Sequence, residues 1–206
     1  MFVYKKTNYT AWNIHSNPYL CIMTKKENIL KAGVTLLANN GIHATPMSAI
    51  AKSAKTGMGT IYNYFANKEI LINAIYVDIK QKEAAIFAPT DLEQPVKTQF
   101  EIYYMAVIKF YIANPAYYQF MEQLQGSPMI TMDSKNIGYQ TIEPVIKTLQ
   151  AGQQQRIIKA IELEELLQFL GGAILSFVKW YLSSTSSKKQ ASLKNQLKMV
   201  WDAIKE

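Results

Sequence analysis

Apolar residues recur at three- and four-residue spacing along most of the chain, and no segment alternates convincingly as a strand. Thr24 and Glu27 make a capping box that predicts a helix start, with Ile29, Ala32, Gly33, Leu36 and Leu37 on its inner face and Gly41 at its end. A short helix is predicted from Pro46 to about Ala54, capped by Thr45, with Met47, Ile50, Ala51 and Ala54 on one face. Lys55, Thr56 and Gly57 break that pattern, and a second short helix follows from about Met58 to Phe65. Its Ile61 and Phe65 point inward, while Thr60, Asn63 and Tyr64 share another face with Tyr62 at the flank. Asn67 caps a longer helix from Lys68 to about Phe87 that carries Ile70, Leu71, Ala74, Ile75 and Ile79.

Pro89 and Pro95 bracket a polar stretch that is taken as a domain boundary. Beyond it the pattern predicts helices from Val96 to about Ala113, stopped by Asn114-Pro115, and from Pro115 to Gln125. Residues 129–134 read as a loop. The next helix runs through Ile142, Val145, Ile146 and Leu149, and Pro144 either kinks it or marks its start. A long helix is predicted from about Glu162 to Leu182, and a last one carries Leu193, Leu197, Val200, Trp201 and Ile204. Glu164, Glu165 and Lys179 argue against the long helix crossing a membrane, and its Gly171 and Gly172 suggest a close helix approach.

The two short helices between residues 45 and 69 fit a helix-turn-helix, although periodicity alone fits a pair of core helices equally well. Charge adds to the picture. The net charge is +7, of which residues 1–87 hold +6 and residues 88–206 hold +1. The excess sits where phosphates would be neutralised. Arg156 is the only arginine, so arginine–guanine contacts are not open to the predicted reading helix. Cys21, the single cysteine, excludes an intrachain disulfide and a cysteine metal cluster and suits a reducing cytoplasm. His15 and His43 lie far apart, so neither a metal site nor histidine-based catalysis has much to build on, and no cofactor is expected. Gly57 and Gly59 do not make a dinucleotide loop, because the preceding strand and the third glycine are missing.

The run from Glu27 to Leu71 resembles the DNA-binding domain of TetR-family transcriptional regulators. The landmarks are Gly41, Thr45, Ile50-Ala51, Ala54, Gly59 to Tyr62, Tyr64-Phe65, Lys68-Glu69 and Leu71. The resemblance implies an all-α protein: an N-terminal three-helix helix-turn-helix DNA-binding domain joined to a larger helical ligand-binding and dimerisation domain. On that reading residues 1–23 are an N-terminal extension, residues 24–87 the head with its connecting helix, and residues 88–206 the body. The extension has no apolar run long enough for a signal peptide or membrane helix, and is read as the product of an upstream start codon with Met23 as the natural beginning. An arm placing Lys5 and Lys6 in the minor groove is the alternative.

The resemblance also implies a repressor that binds palindromic duplex DNA as a homodimer and is released by a small-molecule effector. Tyr62, Lys68 and Thr45 match positions that grip phosphates, and Met58, Gly59, Thr60, Asn63 and Tyr64 fall where base edges are read. Lys55, Gly57 and Met58 depart from the glycine, serine and lysine common at those positions. An enzyme with a helical body, or a carrier that has lost DNA binding, are the competing readings.

Eight aromatic residues fall between positions 100 and 120, more than one face of two helices usually needs. This density points to a mainly apolar, neutral effector held by Tyr103, Tyr104, Tyr117, Tyr118, Met121 and Phe177. The apolar stripes of the last two helices point to a dimer interface through Gly171, Ile174, Phe177, Val178, Leu197 and Trp201.

Overall fold

The computed structural model describes residues 24–87, 93–187 and 189–206. The proposed extension, with Lys5, Lys6, His15 and Cys21, and the boundary residue Pro89 lie outside them. Among the described residues every regular element is an α-helix, and an isolated bridge pairs Ile158 with Lys205.

Helix α1 (Lys25–Asn40) opens on the predicted capping box: the Thr24 hydroxyl accepts from the Glu27 N–H, and the Glu27 carboxylate accepts from the Thr24 N–H at 2.7 Å. It closes on Gly41, whose φ of 92° suits a residue without a side chain. Helices α2 (Met47–Ser53) and α3 (Met58–Tyr64) are each one residue shorter at one or both ends than the pattern suggests. Helix α4 (Lys68–Ala85) starts where Asn67 accepts from the Ile70 N–H at 2.9 Å. Gly33 lets α4 come close, since a Cβ there would lie 2.9 Å from the Ile75 Cδ1. Ile29, Leu37, Ile50, Ile61, Phe65, Leu71, Ile72 and Ile75 form the sealed core of this head.

In the body, α5 (Val96–Ala113) is the central helix. Around it lie α6 (Pro115–Gln123), α7 (Met132–Thr141), α8 (Glu143–Gln154), α9 (Leu163–Ser183) and α10 (Lys189–Ile204). One expectation is corrected here. Residues 132–134 are helical, because the Thr131 hydroxyl caps α7 by accepting from the Ser134 N–H at 3.3 Å. The chain breaks at Ile142, and Pro144 stands in the first turn of α8, where its missing N–H costs nothing. A buried bond from the Thr148 hydroxyl to the Gln99 side chain, 2.8 Å, ties α8 to α5.

Gln123 and Asn73 make several of the polar bonds that join head and body. From α6, Gln123 accepts from the Ile42 N–H at 2.9 Å and donates to the carbonyls of Leu37 and Ala38 at 3.1 Å, which satisfies the end of α1. From α4, Asn73 donates to the Met129 carbonyl and accepts from the Thr131 N–H, both at 2.9 Å. Helix α6 packs on α1, and α7 packs on α4.

Candidate nucleic-acid interface and ligand cavity

Ile61 and Phe65 anchor α3 inward, which turns its other face to solvent. Met58, Tyr62 and Tyr64 are exposed, as are Gly59 and Asn63, while Thr60 is half-buried. The turn into this helix is made by Lys55 at a φ of 52°, in the left-handed region where glycine is favoured. Gly57 precedes α3 without any side-chain cap. A groove between α1 and this turn is lined by Lys25, Lys31, Lys55, Thr56 and Thr60. Sequence reasoning did not single out Lys25 and Lys31, whose only signal was the overall lysine excess of the head.

Two of the predicted phosphate-gripping residues are engaged within the protein. The Thr45 side chain is 1 % exposed, and its hydroxyl donates to the Gly41 carbonyl at 2.9 Å and the Leu36 carbonyl at 3.2 Å. Neither a helix cap nor a phosphate contact is therefore open to it. Pro46 holds the cap position of α2 instead, with no side-chain bond. Lys68 is half-buried, donates from Nζ to the His43 carbonyl at 3.1 Å, and has its pKa lowered by burial.

Such a three-helix unit, with a short exposed helix beside a lysine-lined groove, has known relatives. Residues 29–75 match the family described as bacterial regulatory proteins, tetR family. That part of the chain is a tetR-family DNA-binding domain. It is 26% identical over 136 residues to the HTH-type transcriptional regulator UidR of Escherichia coli K12, spanning 63% of this chain and 67% of that protein. Its fold matches a tetR-family structure from Shewanella sp. PV-4 at a TM-score of 0.82 and 21% identity, over 89% of this chain and 100% of the other. A TetR-family regulator from Marinobacter aquaeolei VT8 matches at a TM-score of 0.79 and 20% identity, over 88% and 96% of the two chains.

The body holds a half-open cavity of about 180 Å³ between α4, α5, α8 and α9. Phe100, Tyr103, Tyr104 and Val107 of α5 face it across from Leu167, Leu170, Gly171 and Ile174 of α9, with Ile142 and Val145 at the start of α8. Lys80, Glu83 and Phe87 bring in the far end of α4, which periodicity gave no reason to include. Lys80 and Glu83 form an ion pair at 2.7 Å with side chains 16% and 5% exposed. Burial pulls the Lys80 pKa down, but the Glu83 charge beside it outweighs this and leaves it above its ordinary value. Burial, and then the same carboxylate, raise the Tyr111 pKa. The Tyr104 hydroxyl is pushed up to about 12 by burial, although it accepts from the Gln196 amide at 3.0 Å. The buried Tyr103 hydroxyl has no hydrogen-bond partner, a state that costs about 1–3 kcal/mol in a folded protein.

Only two of the six predicted effector contacts line this cavity, Tyr103 and Tyr104. Tyr117 instead packs on Phe110 and accepts from Lys82. Tyr118 is buried elsewhere, Met121 is half-buried on α6, and Phe177 packs against Trp180 and Tyr181. Gly171 and Ile174, expected at a dimer surface, face the cavity. Phe177, Val178 and Trp201 are buried inside the protomer, and Leu197 is half-buried. Gly171 and Gly172 have open space where a Cβ would stand, so they mark no close helix approach within the protomer. The outward side of α9 is made by Phe169, Gly172, Ala173, Ser176 and Trp180, and Met199 is exposed on α10. By length and composition α9 could cross a membrane, and only 22% of its most apolar stretch is buried in the protomer.

Proposed function

We propose that the protein is a ligand-responsive transcriptional repressor that binds palindromic operator DNA as a homodimer and is released by a small, mainly apolar effector. The observation that carries this is the exposed face of α3 beside a lysine-lined groove, on a head whose α4 runs on to an apolar cavity. Residues 24–68 hold six lysines against one acidic residue, Glu27. Lys25, Lys31 and Lys55 face phosphates, with Tyr62 beside them. Met58, Gly59, Thr60, Asn63 and Tyr64 read base edges in the major groove, where the Asn63 amide suits adenine and the Thr60 methyl suits thymine. Lys68 gives one N–H to the His43 carbonyl and keeps two donors for a phosphate.

Helix α4 spans about 22 Å from Lys68 beside the reading helix to Glu83 at the cavity. An effector that fits the cavity better when α4 is displaced shifts the spacing of the two heads in the dimer. By linkage, operator DNA weakens effector binding by the same factor. The homodimer is closed by the outward face of α9 with α10, through Phe169, Trp180 and Met199, whose exposure in the protomer supports a covering partner.

Selection of bound sequences from random duplex DNA tests the reading. Enrichment of an inverted repeat is expected. Tyr62→Ala should weaken binding to all duplexes, whereas Asn63→Ala should relax discrimination at one position of each half-site, by about 1–3 kcal/mol. A protein that enriches nothing and does not retain duplex DNA at low salt is a carrier of the same fold.

A further inference from the structure

The seven residues of α3, Met58–Tyr64, include no charged side chain, and this limits which bases the helix can read. Successive residues of a helix stand about 100° apart. Gly59 and Asn63 therefore lie on the line opposite Ile61, which is fully buried. Thr60 flanks them on one side and Tyr62 on the other. Met58 opens the helix and is 39% exposed. Thr60 also borders the groove lined by Lys25, Lys31 and Lys55, so these cations lie beside the reading face and not on it.

Each base pair shows its own pattern in the major groove. Guanine offers two acceptors, N7 and O6, and is best met by arginine or lysine. Cytosine offers the N4 donor, best met by a carboxylate. Helix α3 has neither kind of side chain. Adenine sets the N7 acceptor beside the N6 donor, which an amide matches with one N–H and its carbonyl oxygen. Asn63 is an exposed amide at the centre of the face. Its side chain is short, so a base edge has to come close to the helix. Gly59, one turn earlier, leaves that space, since a Cβ there would meet nothing within 4 Å. Thymine adds its C5 methyl, against which the Thr60 methyl and the Met58 side chain can pack.

On the reading that α3 enters the major groove, we propose that its sequence preference is confined to A·T pairs. Asn63 bonds one adenine in each half-site, and Met58 and Thr60 pack on the methyl groups of neighbouring thymines. Guanine and cytosine carry no part of the preference where α3 touches the bases. The lysines of the groove add affinity that is the same for every sequence.

Base analogues test this on the duplex that selection from random sequences enriches, bound by the full-length protein at one salt concentration. The duplex is remade with 7-deazaadenine or 7-deazaguanine, each lacking the N7 acceptor, or with uracil for thymine, which lacks only the methyl. 7-Deazaadenine should weaken binding about two- to tenfold per half-site, the range of one hydrogen bond. Uracil should weaken it about fourfold for each methyl buried. 7-Deazaguanine should leave it within about twofold. Asn63→Ala should bind the natural and 7-deazaadenine duplexes equally, and Met58→Ala should narrow the gap between the natural and uracil duplexes. Both side chains are exposed, so circular dichroism should be unchanged in either variant. A loss with 7-deazaguanine as large as that with 7-deazaadenine overturns the assignment, as does a 7-deazaadenine loss that persists in Asn63→Ala. If duplex DNA is bound but no sequence is enriched, or all four duplexes bind alike, this inference alone falls. If no duplex is retained at low salt, α3 is not a reading helix and the underlying reading falls with it.

Discussion

Replacing Thr45 by valine separates a role in folding from a role on DNA. The two side chains have nearly the same volume, so the substitution opens no cavity and removes only the hydroxyl. That hydroxyl is sealed from solvent and donates to the Gly41 and Leu36 carbonyls at 2.9 and 3.2 Å, pinning the start of α2 to the end of α1. Loss of a net hydrogen bond costs about 0.5–1.5 kcal/mol, and a buried acceptor left unsatisfied costs about 1–3 kcal/mol. The expected loss is therefore about 1–3 kcal/mol, or roughly 2–12 °C in Tm for a chain of this length. Urea and thermal unfolding should be compared at one protomer concentration, because dimerisation makes both midpoints concentration-dependent. Duplex DNA titrations over a range of salt give the second readout. A phosphate contact contributes about 0.9 to the slope of log K against log salt. The slope should not change at temperatures where the variant is folded. A Thr45→Val protein as stable as the wild type, with its slope reduced by about 0.9, refutes the reasoning, for the hydroxyl would then lie on a phosphate.

Other substitutions probe the turn, the body and the proposed interface. Lys55→Gly should raise stability by up to about 1 kcal/mol, since Lys55 sits at a φ of 52°, yet reduce the salt slope of DNA binding by about 0.9; a stability loss would count against the turn geometry. Gly152→Ala should cost about 1–3 kcal/mol by urea unfolding, because the new Cβ would stand 2.8 Å from Ile158 Cγ1 and 2.9 Å from Val96 Cγ1, and an unchanged midpoint would show that the body yields there. Phe169→Glu, at a residue 46% exposed, should leave the circular dichroism unchanged and give monomers by light scattering, whereas Phe177→Glu should unfold the body; a Phe169→Glu protein that stays dimeric moves the interface elsewhere.

Local signals were enough to place most of the elements. The capping box at Thr24, the Asn67 cap, and the prolines at 95 and 115 act within a turn or two of the residues they organise, so sequence alone located the starts of α1, α4, α5 and α6. The order of landmarks from Gly41 to Leu71 was likewise enough for the family. Periodicity also gave the inward side of α3 correctly, because Ile61 and Phe65 have no apolar competitor on that short helix. In α9 apolar residues occupy nearly the whole circumference, and there the pattern could not choose among three destinations. Packing against α5, α8 and α10 sent Phe177 and Val178 inward, turned Gly171 and Ile174 to the cavity, and left Phe169 and Trp180 outside. The aromatic run of α5 and α6 divided in the same way, with Tyr103 at the cavity and Tyr117 under Lys82. Thr45 looked like a cap by type and position, but the carbonyls that claim its hydroxyl belong to the end of the preceding helix. Lys80 and Glu83 carried no sequence signal, because a lysine and a glutamate three residues apart read as a solvated pair until α5, α8 and α9 close over them.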